Sequence, residues 1–148
     1  MSENQTQAPP PIEPPPPVIP PAAPPPPNPE SQRRTWNMLC HLSALAGFIG
    51  VPFGNVLGPL LVWQIKKNEI PSVEAHGKAA LNFQLTILIA GLVAFAAFFV
   101  GSFFCVGWLL LPVLILIGLA GLIFPIIAGV KANNGEDYKY PFSFTFVS

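Results

Sequence analysis

Between Lys78 and Lys131 the chain carries no Asp, Glu, Lys or Arg, so residues 79–130 form one uncharged and strongly apolar run. A transmembrane helix needs about 20 apolar residues, so the run holds two such helices joined by a short turn. A soluble domain built from a chain of 148 residues could not bury it. Composition agrees, with 9% charged and 51% hydrophobic residues against about 25% charged in ordinary soluble domains. The expected fold is all-α and integral to a membrane.

A second apolar segment, Trp36–Ile65, lies between Arg33-Arg34 and Lys66-Lys67. Its centre, Gly50-Val51-Pro52-Phe53-Gly54-Asn55, combines two glycines, a proline and a potential N-cap, which is a break signal. Pro59 then falls near the first turn of the next helix, where proline is tolerated. The segment reads as a hairpin of two short helices, 35–49 and 56–67. After a linker, Ser72 is the expected N-cap of a helix over 73–100, with Glu74 favourable in its first turn. Gly101–Gly107 is the far turn, and a fourth helix spans 108–132, with a kink expected at Pro125 and a stop at Asn133-Asn134-Gly135. The domain is therefore a four-helix unit over 35–134. Residues 135–148, whose aromatic and polar residues alternate from Tyr138 to Phe146, are expected to be extended against the membrane interface or the domain.

Charge favours the hairpin. If the first segment crossed as one helix, Arg33 and Arg34 would be separated from the five lysines. Folding it back puts all seven Lys and Arg on one side, which the positive-inside tendency assigns to the cytoplasm together with both termini. Trp36 and Trp63 lie beside the basic pairs and Trp108 beside the far turn, as interfacial belts require. At 1.5 Å per residue the two short helices reach about 22 and 18 Å, less than a hydrocarbon core of about 30 Å. They either cross a thinned bilayer or form a re-entrant hairpin covered by the long pair.

Residues 1–34 hold most of the 20 prolines and almost no bulky apolar side chains. They cannot bury enough surface to offset the entropy of ordering, so a disordered proline-rich tail is expected. In polyproline II, Ala8–Pro29 would reach roughly 70 Å at about 3.1 Å per residue. Pro11-Ile12-Glu13-Pro14 and Pro17-Val18-Ile19-Pro20 fit PxxP, a pattern that any dense proline run satisfies. The start of the chain lacks the basic and apolar regions of a signal peptide, so the first hydrophobic segment is expected to be retained as an anchor.

Polar residues within the apolar segments are few, and under the hairpin topology they gather in the cytoplasmic half. His41, Gln64, His76, Asn82 and Gln84 form the candidate functional cluster, because ionisable and amide groups at membrane depth need partners or a purpose. Ser43 and Thr86 belong to the same band. Two histidines without a placed Cys or carboxylate make a poor metal site, so neither a metal nor a cofactor is expected. Cys40 and Cys105 sit in apolar sequence and read as small hydrophobes. No intramembrane Asp, no HExxH and no base beside Ser43 point to catalysis, so an enzyme is not expected. With zero net charge and no basic stripe interleaved with aromatics, nothing supports nucleic-acid binding. Ala90, Ala94, Ala97 and Gly101 on the third helix, and Gly118, Gly121 and Ala128 on the fourth, make small-residue stripes suited to close helix packing within the chain or to self-association.

Several strings carry a family resemblance: His41-Leu42-Ser43-Ala44-Leu45-Ala46-Gly47, Gly58-Pro59-Leu60, Trp63-Gln64-Ile65-Lys66-Lys67, His76 through Gln84, and Lys131-Ala132-Asn133-Asn134-Gly135 through Tyr140-Pro141. With them the chain from His41 to Ser148 resembles a bacterial membrane-protein family of unknown function, related to the roughly twenty-kilodalton channel-type subunit of the chloroplast inner-envelope protein import translocon. The resemblance implies a four-helix membrane domain in the bacterial inner membrane and leaves activity unassigned. The proline tail falls outside it. The expected role is a subunit of a membrane complex, translocon-like by resemblance, that contacts lipid and associates with itself or other membrane proteins. An interaction module offering the proline-rich tail to a cytoplasmic binder is the alternative. A small-molecule or metal site on His41, His76 and the Asn82 and Gln84 amides is a third.

Overall fold

The computed structural model describes residues 28–148, and the proline-rich segment with its PxxP motifs lies outside them. Within the described residues the chain is all-helical, with four α-helices and no strand. These are α1 (Pro29–Leu42), α2 (Gly54–Lys66), α3 (Ser72–Ser102) and α4 (Leu111–Asn133), with 3₁₀ turns at Ser43–Gly47 and Gly107–Leu110.

α1 starts earlier than composition implied, so residues 29–34 belong to the helix and not to the tail. The reason is local. Asn28 caps the helix by accepting from the Glu30 amide at 3.0 Å, Pro29 occupies the first turn, and Glu30 binds the Arg33 and Arg34 guanidiniums at 2.9 and 3.0 Å. Those arginines, Arg33 first, hold the Glu30 carboxyl below its ordinary range. A cap, a first-turn proline and an acid together outweigh the proline-rich surroundings.

The break in the first segment is as expected. α1 runs into the 3₁₀ turn and the chain reverses at residues 48–53, where Gly50 (φ +90°) and Phe53 (φ +55°) take left-handed conformations. Asn55 lies inside α2 and does not cap it, since Phe53 holds that position. Ser72 likewise is the first residue of α3, and its hydroxyl donates to Asn37 Oδ1 at 2.9 Å instead of capping. α4 runs unbroken through the buried Pro125.

α3 and α4 are long and apolar enough to span a membrane, whereas the α1–α2 hairpin is only half as tall. Its tip meets the long pair at mid-height: Phe48 lies 3.9 Å from where a Cβ on Gly121 would sit, and the turn shares a cavity with Gln84, Ile87, Gly118 and Gly121. Beyond Gln84, α3 continues to Ser102, about 27 Å further at 1.5 Å per residue. Burial follows this geometry. The buried residues of α3 all fall between Val73 and Gln84, and those of α4 between Gly121 and Ala132. Four helices pack at one end, and only the long pair continues to the other.

Two contacts set the packing at the four-helix end. A Cβ on Gly77 of α3 would lie 2.6 Å from Trp63 Cβ of α2, and one on Gly129 of α4 would lie 2.8 Å from Leu42 Cδ2 of α1. Glycine is required at Gly77 by the fixed Trp63 Cβ, whereas a Cβ at Gly129 would have to displace the end of the Leu42 side chain. The alanine stripe of α3 behaves otherwise. Ala97 is exposed, and Ala90 and Ala94 line an apolar groove with Val113 and Ile117 of α4 instead of being covered by that helix. The long pair touches through Gly121 and Ile87, and through Gly101 and Gly107 at the far turn.

All Lys and Arg lie at the four-helix end, where α1 and α3 begin and α2 and α4 finish. Lys66 caps the Trp36 ring at 4.8 Å and Lys67 the Trp63 ring at 5.3 Å. A Cβ on Gly135 (φ +83°) would sit 3.6 Å from the Arg34 guanidinium, so the end of α4 lies beside the start of α1. From there residues 136–148 continue without helix or strand.

Candidate functional site

On α1, Asn37, Cys40 and His41 recur at the i, i+3, i+4 spacing of one helix face and are all buried against α3. Asn37 accepts from Ser72, and the Cys40 thiol points at Val73 O, 3.9 Å away. Deepest on this face is His41, fully buried. Its Nε2 lies 3.0 Å from His76 Nδ1, and its Nδ1 lies 2.9 Å from the Tyr140 hydroxyl. His76 Nε2 faces Asp137 Oδ1 at 3.5 Å, and that carboxylate is fully exposed. Tyr140, His41, His76 and Asp137 thus form one chain from the buried core to the basic end.

The direction of the protons follows from this order. A carboxylate only accepts, so the Asp137 contact at 3.5 Å favours Nε2–H on His76 and a lone pair on its Nδ1. His41 then donates Nε2–H to His76, and its own Nδ1 accepts from the tyrosine hydroxyl. The reversed order would aim a lone pair at the carboxylate and leave the Tyr140 hydroxyl proton without an acceptor. Both ring nitrogens of His41 are engaged by protein, Nδ1 by Tyr140 and Nε2 by His76. Among the described residues no three His, Cys, Asp or Glu side chains gather as a metal site would require.

Tyr140 is fixed on its other side as well. Its ring stacks on Phe83 at 4.2 Å, and Phe83 in turn meets Phe124 edge-on at 5.8 Å. Burial pushes the Tyr140 phenol above its ordinary range, with smaller contributions from Tyr138 and Cys40.

Asn82 and Thr86, one turn apart on α3, hold the C-terminal segment. Asn82 Oδ1 accepts from the amides of Phe146 and Val147 at 2.8 and 2.7 Å, and its Nδ2 donates to Val147 O at 3.0 Å. Thr86 Oγ1 accepts from the Phe144 amide at 3.0 Å while donating to Asn82 O at 2.8 Å. Non-helical backbone beside an apolar helix needs partners, and these two side chains supply them. The backbone is read; the phenylalanines are not. Phe142 and Phe144 point outward, 91% and 68% exposed.

Of the five residues expected to cluster, the fold brings His41 and His76 into direct contact, and Asn82 joins them through the C-terminal segment. Gln64 is exposed on α2 and takes no part. Gln84 is 1% exposed, and neither its Oε1 nor its Nε2 has a hydrogen-bond partner, at a cost of about 1–3 kcal/mol for each unsatisfied group. Sequence reasoning missed Tyr140, Asp137, Asn37 and Ser72. The alternating aromatics from Tyr138 onward signalled packing, but nothing in them distinguished the buried Tyr140 from the outward phenylalanines.

Comparison with known proteins places this arrangement in a family. The model of the magnetosome magnetite crystal formation protein family matches residues 32–147, from the first turns of α1 through the clamped C-terminal segment. No curated protein and no solved structure matches the chain. A relation to the chloroplast translocon subunit is not shown. The matched region takes in α2, α3, α4, all but the first three residues of α1, and Tyr140, His41, His76 and Asp137, so the chain belongs to the magnetosome magnetite crystal formation protein family, a membrane-protein family of bacterial origin.

Proposed function

We propose that this chain is a non-enzymatic, multi-pass component of the membrane that encloses a magnetosome, acting in magnetite crystal formation as one subunit of a membrane complex. The observation that carries this reading is the family match over residues 32–147, which spans the whole packed domain. In the orientation proposed, the basic end with both termini faces the cytoplasm and the turns at 48–53 and 103–106 face away from it. The positions of Arg33, Arg34, Lys66, Lys67, Lys78, Lys131 and Lys139 support that orientation. The half-height hairpin is then re-entrant, entering and leaving on the cytoplasmic side.

A conduit through one copy has less support. Residues 88–101 of α3 and 111–130 of α4 carry no polar side chain, so a single copy lines no polar path through the far half of the bilayer. The exposed start of α1 favours a second element of the role, presentation of the proline-rich segment at the cytoplasmic surface. Deleting the gene in its native bacterium and imaging the crystals by electron microscopy tests the main reading. Altered crystal size or number, restored by the intact gene, is expected, and unchanged crystals sink it. Complementation by a chain lacking residues 1–27 separates the two elements, since full rescue removes the presentation role.

A further inference from the structure

Five polar side chains are buried among the described residues: Asn37, His41, His76, Asn82 and Gln84. Four are satisfied by the protein, whereas Gln84 has both ends of its carboxamide unpartnered; the other buried side-chain atom without a partner among the described residues is Trp63 Nε1. Gln84 lines an open cavity of about 350 Å³ bordered by the 3₁₀ turn after α1, the hairpin tip, Ile87 of α3 and Gly118 and Gly121 of α4. The space is built in by its glycines. A Cβ on Gly118 or Gly50 would meet nothing within 4 Å. Asn55 contributes a second carboxamide to the wall, and no charged residue lines the cavity. Its rim includes Phe48, Val51 and Phe53, which are 52%, 45% and 67% exposed, so it is reached from the apolar surface at mid-height of α3 and α4.

We infer that this cavity is a binding site for an uncharged amphiphile, whose hydrogen-bonding head pairs with the Gln84 carboxamide and whose apolar body lies under the hairpin tip. A carboxamide offers one donor group and one acceptor, so the head it fits both accepts and donates, as an amide, a hydroxyl or a neutral carboxylic acid does. With no cation in the wall, an ionised acid finds no countercharge there. The polarity of the site matches its depth: a few placed polar groups set in an apolar lining are what small-molecule sites share. The inference is independent of the role in crystal formation.

The test uses the full chain in phosphatidylcholine vesicles and a decanamide carrying a photoreactive diazirine, with crosslinked residues mapped by mass spectrometry. Labelling is expected to saturate, to fall within residues 47–55 and 118–121, and to be displaced by unlabelled decanamide but not by decane or decanoate. Gln84→Leu removes the pairing group and weakens binding about tenfold, equivalent to about 1.4 kcal/mol. Gly118→Leu fills the space and abolishes labelling while leaving the carboxamide in place; it decides the matter should Gln84→Leu fail to fold. Displacement by decane as well as by decanamide, labelling spread evenly along the apolar faces of α3 and α4, or labelling unchanged in Gly118→Leu would each overturn the assignment.

Discussion

His41 Nε2 of α1 lies 3.0 Å from His76 Nδ1 of α3, so an N–H···N bond joins the helix that starts the domain to the first long apolar helix, deeper than the Ser72–Asn37 bond between the same two. The His41–His76 bond is the middle link of a chain whose inner end is Tyr140, which belongs to neither helix. The C-terminal segment is thereby part of the core.

Removing the Tyr140 hydroxyl should therefore destabilise the domain. Tyr140→Phe preserves the stack on Phe83 but leaves the fully buried His41 Nδ1 with no donor, at a cost of about 1–3 kcal/mol. Tyr138→Phe, at a half-buried position, should change stability by no more than about 0.5 kcal/mol. Thermal unfolding in mild detergent compares the two. Equal stability of both variants would show that the chain contributes nothing.

Tyr140 also sets an alkaline limit. Its folded-state pKa is raised by burial, so the stabilisation is fully present below the ordinary phenol pKa of about 10 and is lost as pH rises above it. In a Tyr138→Phe background, Tyr140 is the sole tyrosine of a chain that has two. Its absorbance change on ionisation should appear only well above pH 10, together with loss of the packed C-terminal segment. A titration midpoint near 10 in the folded protein contradicts the burial.

Asn82→Leu should free the end of the chain. Three hydrogen bonds to Phe146 and Val147 disappear, at about 1 kcal/mol net each. Chymotryptic cleavage after Phe142, Phe144 and Phe146 should accelerate by at least about tenfold, with a smaller effect for Thr86→Val, which removes one bond to the segment. Cleavage at the wild-type rate in Asn82→Leu rules out the clamp.

Two glycines should respond to alanine in opposite directions. Gly77→Ala forces a Cβ to within 2.6 Å of Trp63 Cβ and pushes α2 from α3, an overpacking cost of about 1–3 kcal/mol. Gly118→Ala meets open space and should stabilise α4 by up to about 1 kcal/mol through helix propensity. Unfolding of both variants in the same detergent gives the sign of each, and a stabilising Gly77→Ala would refute the packing described.

The proposed orientation makes Cys105 reachable from the non-cytoplasmic side. Cys105 is exposed in the far turn, whereas Cys40 is buried in α1. With the chain placed in the inner membrane of a bacterium that forms no magnetosomes, a membrane-impermeant maleimide should label Cys105 in intact spheroplasts and leave Cys40 untouched. Labelling of Cys105 only after the membrane is opened would invert the topology.

Much of the architecture was legible in the residues. The uncharged run from Ala79 to Val130 gave the two long helices, Gly50 to Gly54 gave the reversal before α2, and the basic pairs gave the end at which the helices meet. The start of α1 was legible too, in Asn28-Pro29-Glu30, but the surrounding prolines masked it. Of the site, His41, His76 and Asn82 stood out as polar groups in apolar helices, yet Gln64 stood out equally and proved exposed. Whether a polar residue on a short helix faces a partner or the surroundings depends on how that helix is rotated against the others, which its own sequence leaves open.

What the sequence determined by itself is set by quantities that add up along the chain: hydrophobicity over a span's length, charge at its ends, and the backbone preferences of glycine and proline. Tertiary structure decided the rest. The height at which the hairpin tip meets the long pair is set by Phe48 against Gly121, and Tyr140 becomes a core residue only because the turn at Gly135 brings it back onto His41 and Phe83. The links from Tyr140 through His41 to His76 exist because residues far apart in sequence come within about 3 Å, the reach of a hydrogen bond. A one-residue change of register between α1 and α3 would break them while leaving each helix's hydrophobicity unchanged.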